Sequence, residues 1–423
     1  MTRRTFLESL ASAAVLGAGG CSMFRWKTGK IRLAVAGPSC GSSEWLAMLE
    51  SGLVEVVAFC DSNPDAKASV ERHLSDRRIP LDVGSVPFFS DTDELVRNLD
   101  ALEVEALADL APLAVRGSLA SAAAEKGVHV YVGAPLAGTI SELALFDHAV
   151  RSTRAITQMG DVSSAADGLR RGVELLNAGI IGATTEVHAW GSGLFESAPN
   201  VLNLVQRGLE LSRVKSVRLD SAEGRVDGGI PARSSLTLLY AARLSRIHQK
   251  QALPEVRLAW YDGGMKPPAE VTKPVADVTG SVPAAGCIVK GAGGILFAAD
   301  GFGIETYIST DGARAVPSDE HPGAIAVRTT IPRRGAKDAA SAAQVHALEF
   351  VDAVMRSGPK YGETGSRTYS GAQHSVPFTE GLLVASVAQR VLHPGDTLRW
   401  DTAFRHFDRA DANALIRPAT SKK

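Results

Sequence analysis

With 423 residues, 45% of them hydrophobic and 22% charged, the chain has the composition of an ordinary globular protein and room for two domains with their own cores. A formal charge of −1 supplies no basic footprint for nucleic acid, and no apolar run reaches the length of a membrane span. Cys21, Cys40, Cys60 and Cys287 lack metal-ligand spacing; Cys40 and Cys60 fall in a predicted sheet region and read as small core residues.

The chain opens on an address. Thr2-Arg3-Arg4-Thr5-Phe6-Leu7 carries an arginine pair followed by Phe-Leu, and the apolar segment Leu10–Gly20 is short for a membrane span. The stretch resembles a twin-arginine export signal, which implies a periplasmic or membrane-anchored protein. Ala18-Gly19-Gly20-Cys21 loosely resembles a lipoprotein cleavage box. Two fates stay open: lipidation of Cys21, which would tether the protein to a membrane, or an export signal without a lipid. Signal and short linker take residues 1–29.

From residue 30 to 160 strands and helices alternate. Ile31, Leu33, Val35 and Ala36 read as a buried parallel strand, and Gly37–Gly41 as a tight turn. Ser42 or Ser43 caps a helix carrying Trp45, Leu46 and Leu49. A second strand, Val54–Phe59, ends in Cys60 and Asp61. Strand, glycine-bearing turn, helix, strand, acid is the layout of a dinucleotide-binding unit. There the helix N-terminus holds a pyrophosphate and the acid takes a ribose hydroxyl. The glycine fingerprint G-x-G-x-x-G is filled here by Gly37, Ser39 and Ser42. Gly37 and Gly41 permit the turn, while Ser39 and Ser42 crowd the phosphate approach, although a serine hydroxyl can also bond phosphate. Asp61 reads as a ribose ligand, a solvated strand-end residue or the cap of the next helix.

The alternation continues. A helix starts at Asn63-Pro64 and runs to about Leu74; Val86–Phe89 is a short strand, followed by a helix from Ser90 to Leu99. Val104–Leu110 is a strand, Val115–Lys126 a helix stopped by Gly127, and His129–Val132 a strand. Thr139 and Glu142 form a capping box, T-x-x-E, before a helix with Leu143, Phe146 and Val150 on one face. Ala155–Met159 is a sixth strand. The fold class is α/β: an N-terminal Rossmann-type, doubly wound parallel sheet.

The pattern changes near residue 160. After a helix over Ala165–Ala178 and an alternating strand at Thr184–Trp190, strand-like runs follow with few helices between them. They are Leu236–Leu239, Val256–Tyr261, Gly286–Lys290, Ile295–Ala299 and Ile304–Ser309. Strands without crossover helices imply a largely antiparallel, open sheet, so residues 161–418 form an α+β domain. Helices at Ser341–Met355 and Thr379–Val391 flank a loop over Lys360–Gln373, and residues 419–423 are a disordered tail.

Several motifs resemble the Gfo/Idh/MocA oxidoreductase family, in particular its exported bacterial members. They are His129-Val130-Tyr131-Val132, Pro135-Leu136, Gln158-Met159-Gly160, Gly168-Leu169-Arg170-Arg171, Ala178-Gly179-Ile180-Ile181-Gly182 and Glu186-Val187-His188-Ala189-Trp190. Trp260-Tyr261-Asp262-Gly263-Gly264-Met265-Lys266-Pro267-Pro268, Phe378-Thr379-Glu380, Leu398-Arg399-Trp400-Asp401 and Asn413-Ala414-Leu415 continue the match. The resemblance implies an NAD(P)-binding first domain. It also implies a second domain that covers the nicotinamide and mediates homo- or hetero-oligomerisation. The implied chemistry is hydride transfer on a sugar or cyclitol, for which a base must take the hydroxyl proton. It puts Gly37, Ser39, Gly41, Asp61 and Pro135 at the cofactor.

The working groups of the family are replaced. Its Glu-Lys-Pro segment is Gly133-Ala134-Pro135 here, so the lysine position is Ala134. Its Thr-Pro-Asp-His-x-His segment is Ala111-Pro112-Leu113-Ala114-Val115-Arg116, and Gly-Asn-Gln has become Gly160-Asp161-Val162. Asn200–Val217 holds no equivalent of the family's histidine-bearing helix. No residue is therefore assigned a catalytic role. His188 reads as a sheet residue, Asp161 as a solvated loop carboxylate or a general base, and the His346–Glu349 pair as a helix face without a third metal ligand. Three functions follow: an oxidoreductase-like protein with hydride transfer impaired or lost, a non-catalytic binding or partner subunit of an active homologue, or an NAD-dependent glycosidase.

Overall fold

The computed structural model describes residues 29–40, 43–224, 229–248, 251–357 and 367–417. The twin-arginine segment with Cys21, Gly41 and Ser42 of the first turn, and the tail at 419–423 lie outside them. The chain divides into two units. The first takes the described residues of Met1–Gly133, Leu145–Gln158 and His346–Ala372; the second takes those of Ala134–Ala144, Met159–Val345 and Gln373–Lys423.

The first unit is built on β1 (Ile31–Ala36), α1 (Ser43–Glu50), β2 (Val54–Cys60), α2 (Ala66–Asp76), β3 (Phe88–Phe89), α3 (Thr92–Asn98), β4 (Ala106–Asp109), α4 (Leu113–Glu125) and β5 (His129–Val132), followed by α5 (Ile140–Thr153) and β6 (Thr157–Met159). The sheet order is β3-β2-β1-β4-β5-β6, with parallel pairing at β1–β2, β1–β4, β2–β3 and β4–β5. The order reverses between β1 and β4, which makes the carboxyl ends of those strands the place for a ligand. Ile31, Leu33 and Val35 of β1 pack with Trp45, Met48 and Phe59 and with Phe350, Val351 and Val354. Trp45 is wholly buried and meets Phe59 edge-on at 5.7 Å. Burial on that scale stabilises by about 2–3 kcal/mol per large side chain. The capping box at the start of α5 is formed: Thr139 N donates to Glu142 Oε2 at 3.0 Å and Glu142 N to Thr139 Oγ1 at 3.3 Å.

The second unit continues with α6 (Asp167–Asn177), β7 (Thr184–Trp190), α7 (Ala198–Val201), α8 (Asn203–Gly208), β8 (Val214–Glu223), β9 (Arg233–Tyr240) and a small ribbon of β10 (Arg243–Leu244) with β11 (Ala252–Leu253). Then come β12 (Val256–Asp262), α9 (Ala269–Thr279), β13 (Gly286–Gly291), β14 (Gly294–Ala298), β15 (Thr306–Thr310), β16 (Val316–Pro317), α10 (Pro322–Ile325), α11 (Ala339–Arg356), of which the residues from His346 on belong to the first unit, α12 (Ala372–Val391), β17 (Thr397–Asp401), β18 (His406–Phe407) and α13 (Ala410–Asn413). Its ten-stranded sheet runs β16-β15-β14-β13-β7-β12-β9-β8-β17-β18. Pairing is antiparallel except between β7 and β12. The expected fold class, a Rossmann-type sheet plus a largely antiparallel one, is what the chain adopts.

Some local expectations are corrected. Cys40 is exposed, because it sits in the turn after β1 and not on a strand, whereas Cys60 is buried in β2. The strand expected at Val86–Phe89 shortens to Phe88–Phe89. Residues 269–279 form a helix despite an interior proline, Pro274, with Gly280 closing it at φ +79. Helix α12 begins at Ala372, ahead of Pro377, and not at Thr379.

Candidate functional site

Gly37 ends β1 in a left-handed conformation, φ +68, that only glycine adopts without strain. The backbone of the β4–α4 loop closes on it: a Cβ built there would lie 2.5 Å from Ala111 N. Gly37 N donates to Cys60 O at 2.8 Å, which ties the turn to the end of β2. Two residues on, Ser39 N and Ser39 Oγ both donate to Asp61 Oδ2, at 3.1 and 2.5 Å. Asn63 N donates to Asp61 Oδ1 at 2.9 Å. Asp61 is buried, and its carboxylate binds its own chain on both oxygens. The structure thus brings Gly37, Ser39 and Asp61 together at the carboxyl ends of β1 and β2; Gly41 lies outside the described residues.

Two groups missed in the sequence complete this edge. Asp109 ends β4 wholly buried; Oδ1 accepts from Ala111 N at 3.2 Å, and Oδ2 has no hydrogen-bond partner among the described residues. Burial pushes its carboxyl up to about 7, against the opposing pull of Arg116 and the Ala111 N–H. Arg116, in the first turns of α4, donates Nε to Ala111 O at 3.1 Å. A Cβ at Gly133 would stand 3.0 Å from its Cζ, so glycine gives the guanidinium its seat. Burial lowers the Arg116 pKa, and the Asp109 and Cys40 charges raise it. The sequence signal for Asp109 was available: it is a carboxylate inside the apolar run Val104–Leu110.

The second unit has its own buried polar cluster. Asp161 is fully buried, not solvated. Asn203 Nδ2 donates to its Oδ2 at 2.9 Å, and Arg207 Nη2 stands 3.2 Å from the same oxygen. Arg207 Nε also donates to Asn203 Oδ1 at 2.5 Å. His374 Nε2 lies 3.7 Å from Asp161 Oδ2, and burial first, then the charge of Arg207, holds its imidazole well below the ordinary histidine range. Helix α8 therefore supplies both the asparagine and the arginine where the sequence offered no histidine-bearing helix. Ala134 is half-buried and Pro135 buried, joined by a cis peptide bond.

His188 belongs to a network on the sheet. Its Nε2 is 2.5 Å from Glu186 Oε1, its Nδ1 is 3.2 Å from Tyr261 Oη, and Lys290 Nζ donates to Glu186 Oε1 at 2.9 Å. These bonds, from Lys290 first and His188 next, hold the Glu186 carboxyl below its usual range. His346 is spent in the first unit. Tyr131 Oη lies 3.1 Å and Gln158 Nε2 3.0 Å from its Nδ1, and Gln158 Nε2 donates to its carbonyl at 2.6 Å.

Tested against a nicotinamide dinucleotide, the described residues of the turn do not fit as they stand. The acid for the ribose already accepts three hydrogen bonds from its own chain, and the serine at the second fingerprint position lies on that acid.

No protein-family model matches the chain, and no curated protein matches it. Solved structures do. An oxidoreductase from Sinorhizobium meliloti is 18% identical, over 84% of this chain and 97% of the other, with a TM-score of 0.58. An inositol dehydrogenase homolog from Azotobacter vinelandii, solved with NADH and myo-inositol, is 14% identical over 88% and 98%, with a TM-score of 0.61. An aldose-aldose oxidoreductase from Caulobacter crescentus, solved with glycerol, is 14% identical over 88% and 99%, with a TM-score of 0.58. At these identities the likeness is one of fold, and the fold of this chain is of the Gfo/Idh/MocA type.

Proposed function

We propose that this chain is a Gfo/Idh/MocA-family protein, related to NAD(P)-dependent oxidoreductases of sugars or cyclitols, that no longer transfers hydride and acts by binding. The observation that carries this reading is Ala134. Removing hydride from a carbon that bears a hydroxyl also requires a group to take the hydroxyl proton. The family resemblance puts a lysine for that task before Pro135, and a methyl group stands there instead. The internally satisfied Asp61 supports the reading from the cofactor side. A sugar-like ligand and a homo- or hetero-oligomer, including partnership with an active homologue, belong to the same proposal. So does export by the twin-arginine route.

The test is turnover. The purified mature protein is incubated with NAD or NADP and a panel of sugars and cyclitols, and reduced cofactor is followed by absorbance and fluorescence. No turnover, with binding of a sugar or of an active homologue by calorimetry or light scattering, supports the proposal. Substrate-dependent reduction of either cofactor overturns it.

A further inference from the structure

We infer that Ser39 is a built-in occupant of the nucleotide site: its hydroxyl holds the place on Asp61 that a ribose hydroxyl would take. The inference rests on reading the β1–α1 turn as derived from a dinucleotide site. A carboxylate offers about four lone-pair positions. On Asp61, two donors from Ser39 share Oδ2 and Asn63 N takes Oδ1. The Ser39 hydroxyl contact, at 2.5 Å, is the shortest of the three and has the length of a charge-assisted O–H···O⁻ bond. Only 8% of the Asp61 surface meets solvent, so an incoming hydroxyl has to displace Ser39 rather than bind beside it.

Ser39 therefore opposes a dinucleotide twice. Its Oγ competes for the acid, and its Cβ stands where the fingerprint keeps glycine for close approach of the pyrophosphate. The neighbouring parts are retained. Gly37 still makes its turn at φ +68 and still admits the β4–α4 loop. Among the described residues of the turn, the obstruction is thus a side chain that is only half-buried and is replaceable without opening the core.

The test uses the wild-type mature protein, Ser39→Ala, Ser39→Gly and the double variant Ser39→Ala/Asp61→Asn, each titrated with ADP-ribose and with NADH. ADP-ribose isolates the ribose and pyrophosphate end from any nicotinamide contact. Both single variants are expected to bind both probes at least about tenfold more tightly than wild type, and the double variant to lose that gain. Thermal melting confirms that each variant folds, and Ser39→Ala, the milder change, decides if Ser39→Gly unfolds. Binding by Ser39→Ala that is no tighter than wild type, including binding by neither, overturns the inference. The experiment reads no turnover, so its result stands apart from the loss of hydride transfer: sugar oxidation by wild type would defeat that reading and leave the role of Ser39 to the titration.

Discussion

Arg207 and Asp161 form an ion pair almost wholly out of water: Nη2 and Oδ2 are 3.2 Å apart, and the side chains are 7% and 0% exposed. Neither group keeps bulk solvation to fall back on, so the pair holds only while both members are present. Replacing Arg207 by Leu is expected to destabilise the protein by about 3–5 kcal/mol, because it leaves a buried carboxylate without its cation. Adding Asp161→Asn to that variant should recover part of the loss. Urea unfolding of the two variants checks both statements; equal stability of Arg207→Leu and wild type would refute the first.

Asp109 gives the pH profile a definite sign. Its carboxyl titrates near an ordinary aspartate value when unfolded and at about 7 when folded. Between those values the folded protein holds the extra proton, so stability falls as pH rises from about 4 to about 7 and levels off above. Asp109→Asn removes the titration, and its stability should gain on wild type by about 4 kcal/mol between pH 4 and pH 8. Melting curves of the two proteins at several pH values test this; parallel profiles would contradict it.

Two glycines separate steric from conformational cost. Gly37 has φ +68 and would bring a Cβ within 2.5 Å of Ala111 N; Gly52 has φ +72 with nothing within 4 Å. Gly52→Ala should cost about 1 kcal/mol, the backbone term alone. Gly37→Ala should cost about 3 kcal/mol, since the β4–α4 loop must also move. Denaturant midpoints of the pair report the difference.

Glu174 pins a long connection. Its Oε1 accepts from Thr330 N at 2.7 Å and Ile331 N at 2.6 Å, and its Oε2 from Arg333 Nη2 at 2.6 Å and Arg171 Nη1 at 3.2 Å. Burial raises its carboxyl, and these bonds outweigh burial and bring it below the usual range. The stabilisation is present above an ordinary glutamate pKa and is lost as pH falls through the lower folded value. Glu174→Ala is expected to cost about 3 kcal/mol and to expose the chain near Thr330 to limited proteolysis. Unchanged cleavage rates would show that the segment is held elsewhere.

The sequence was most informative where a strand is a short run of β-branched and aromatic residues. His129–Val132 and Thr184–Trp190 are strands over the expected ranges. At prolines local rules and the fold part: Pro274 lies inside α9 and Pro377 inside α12, because tertiary packing tolerates a missing N–H that those rules treat as a break. At the candidate site, Gly37, Ser39 and Asp61 were legible because a strand–turn–helix–strand unit is local. The partners of Asp161 were not, since Arg207 lies 46 residues away and meets it only after the chain folds. Asp109 was visible as a carboxylate inside a strand-like run, but periodicity does not say which oxygen of a buried carboxylate lacks a donor.

The misplaced cysteine offers a handle. Cys40 is exposed one residue beyond Ser39, whereas Cys60 and Cys287 are buried, with thiols pushed up to about 12. Among the described residues, a maleimide dye therefore has one accessible target, and that target is in the turn itself. A fluorophore on Cys40 would convert any rearrangement of Ser39 and Asp61 into an optical signal, readable in a stopped-flow instrument without a coupled assay or a substrate.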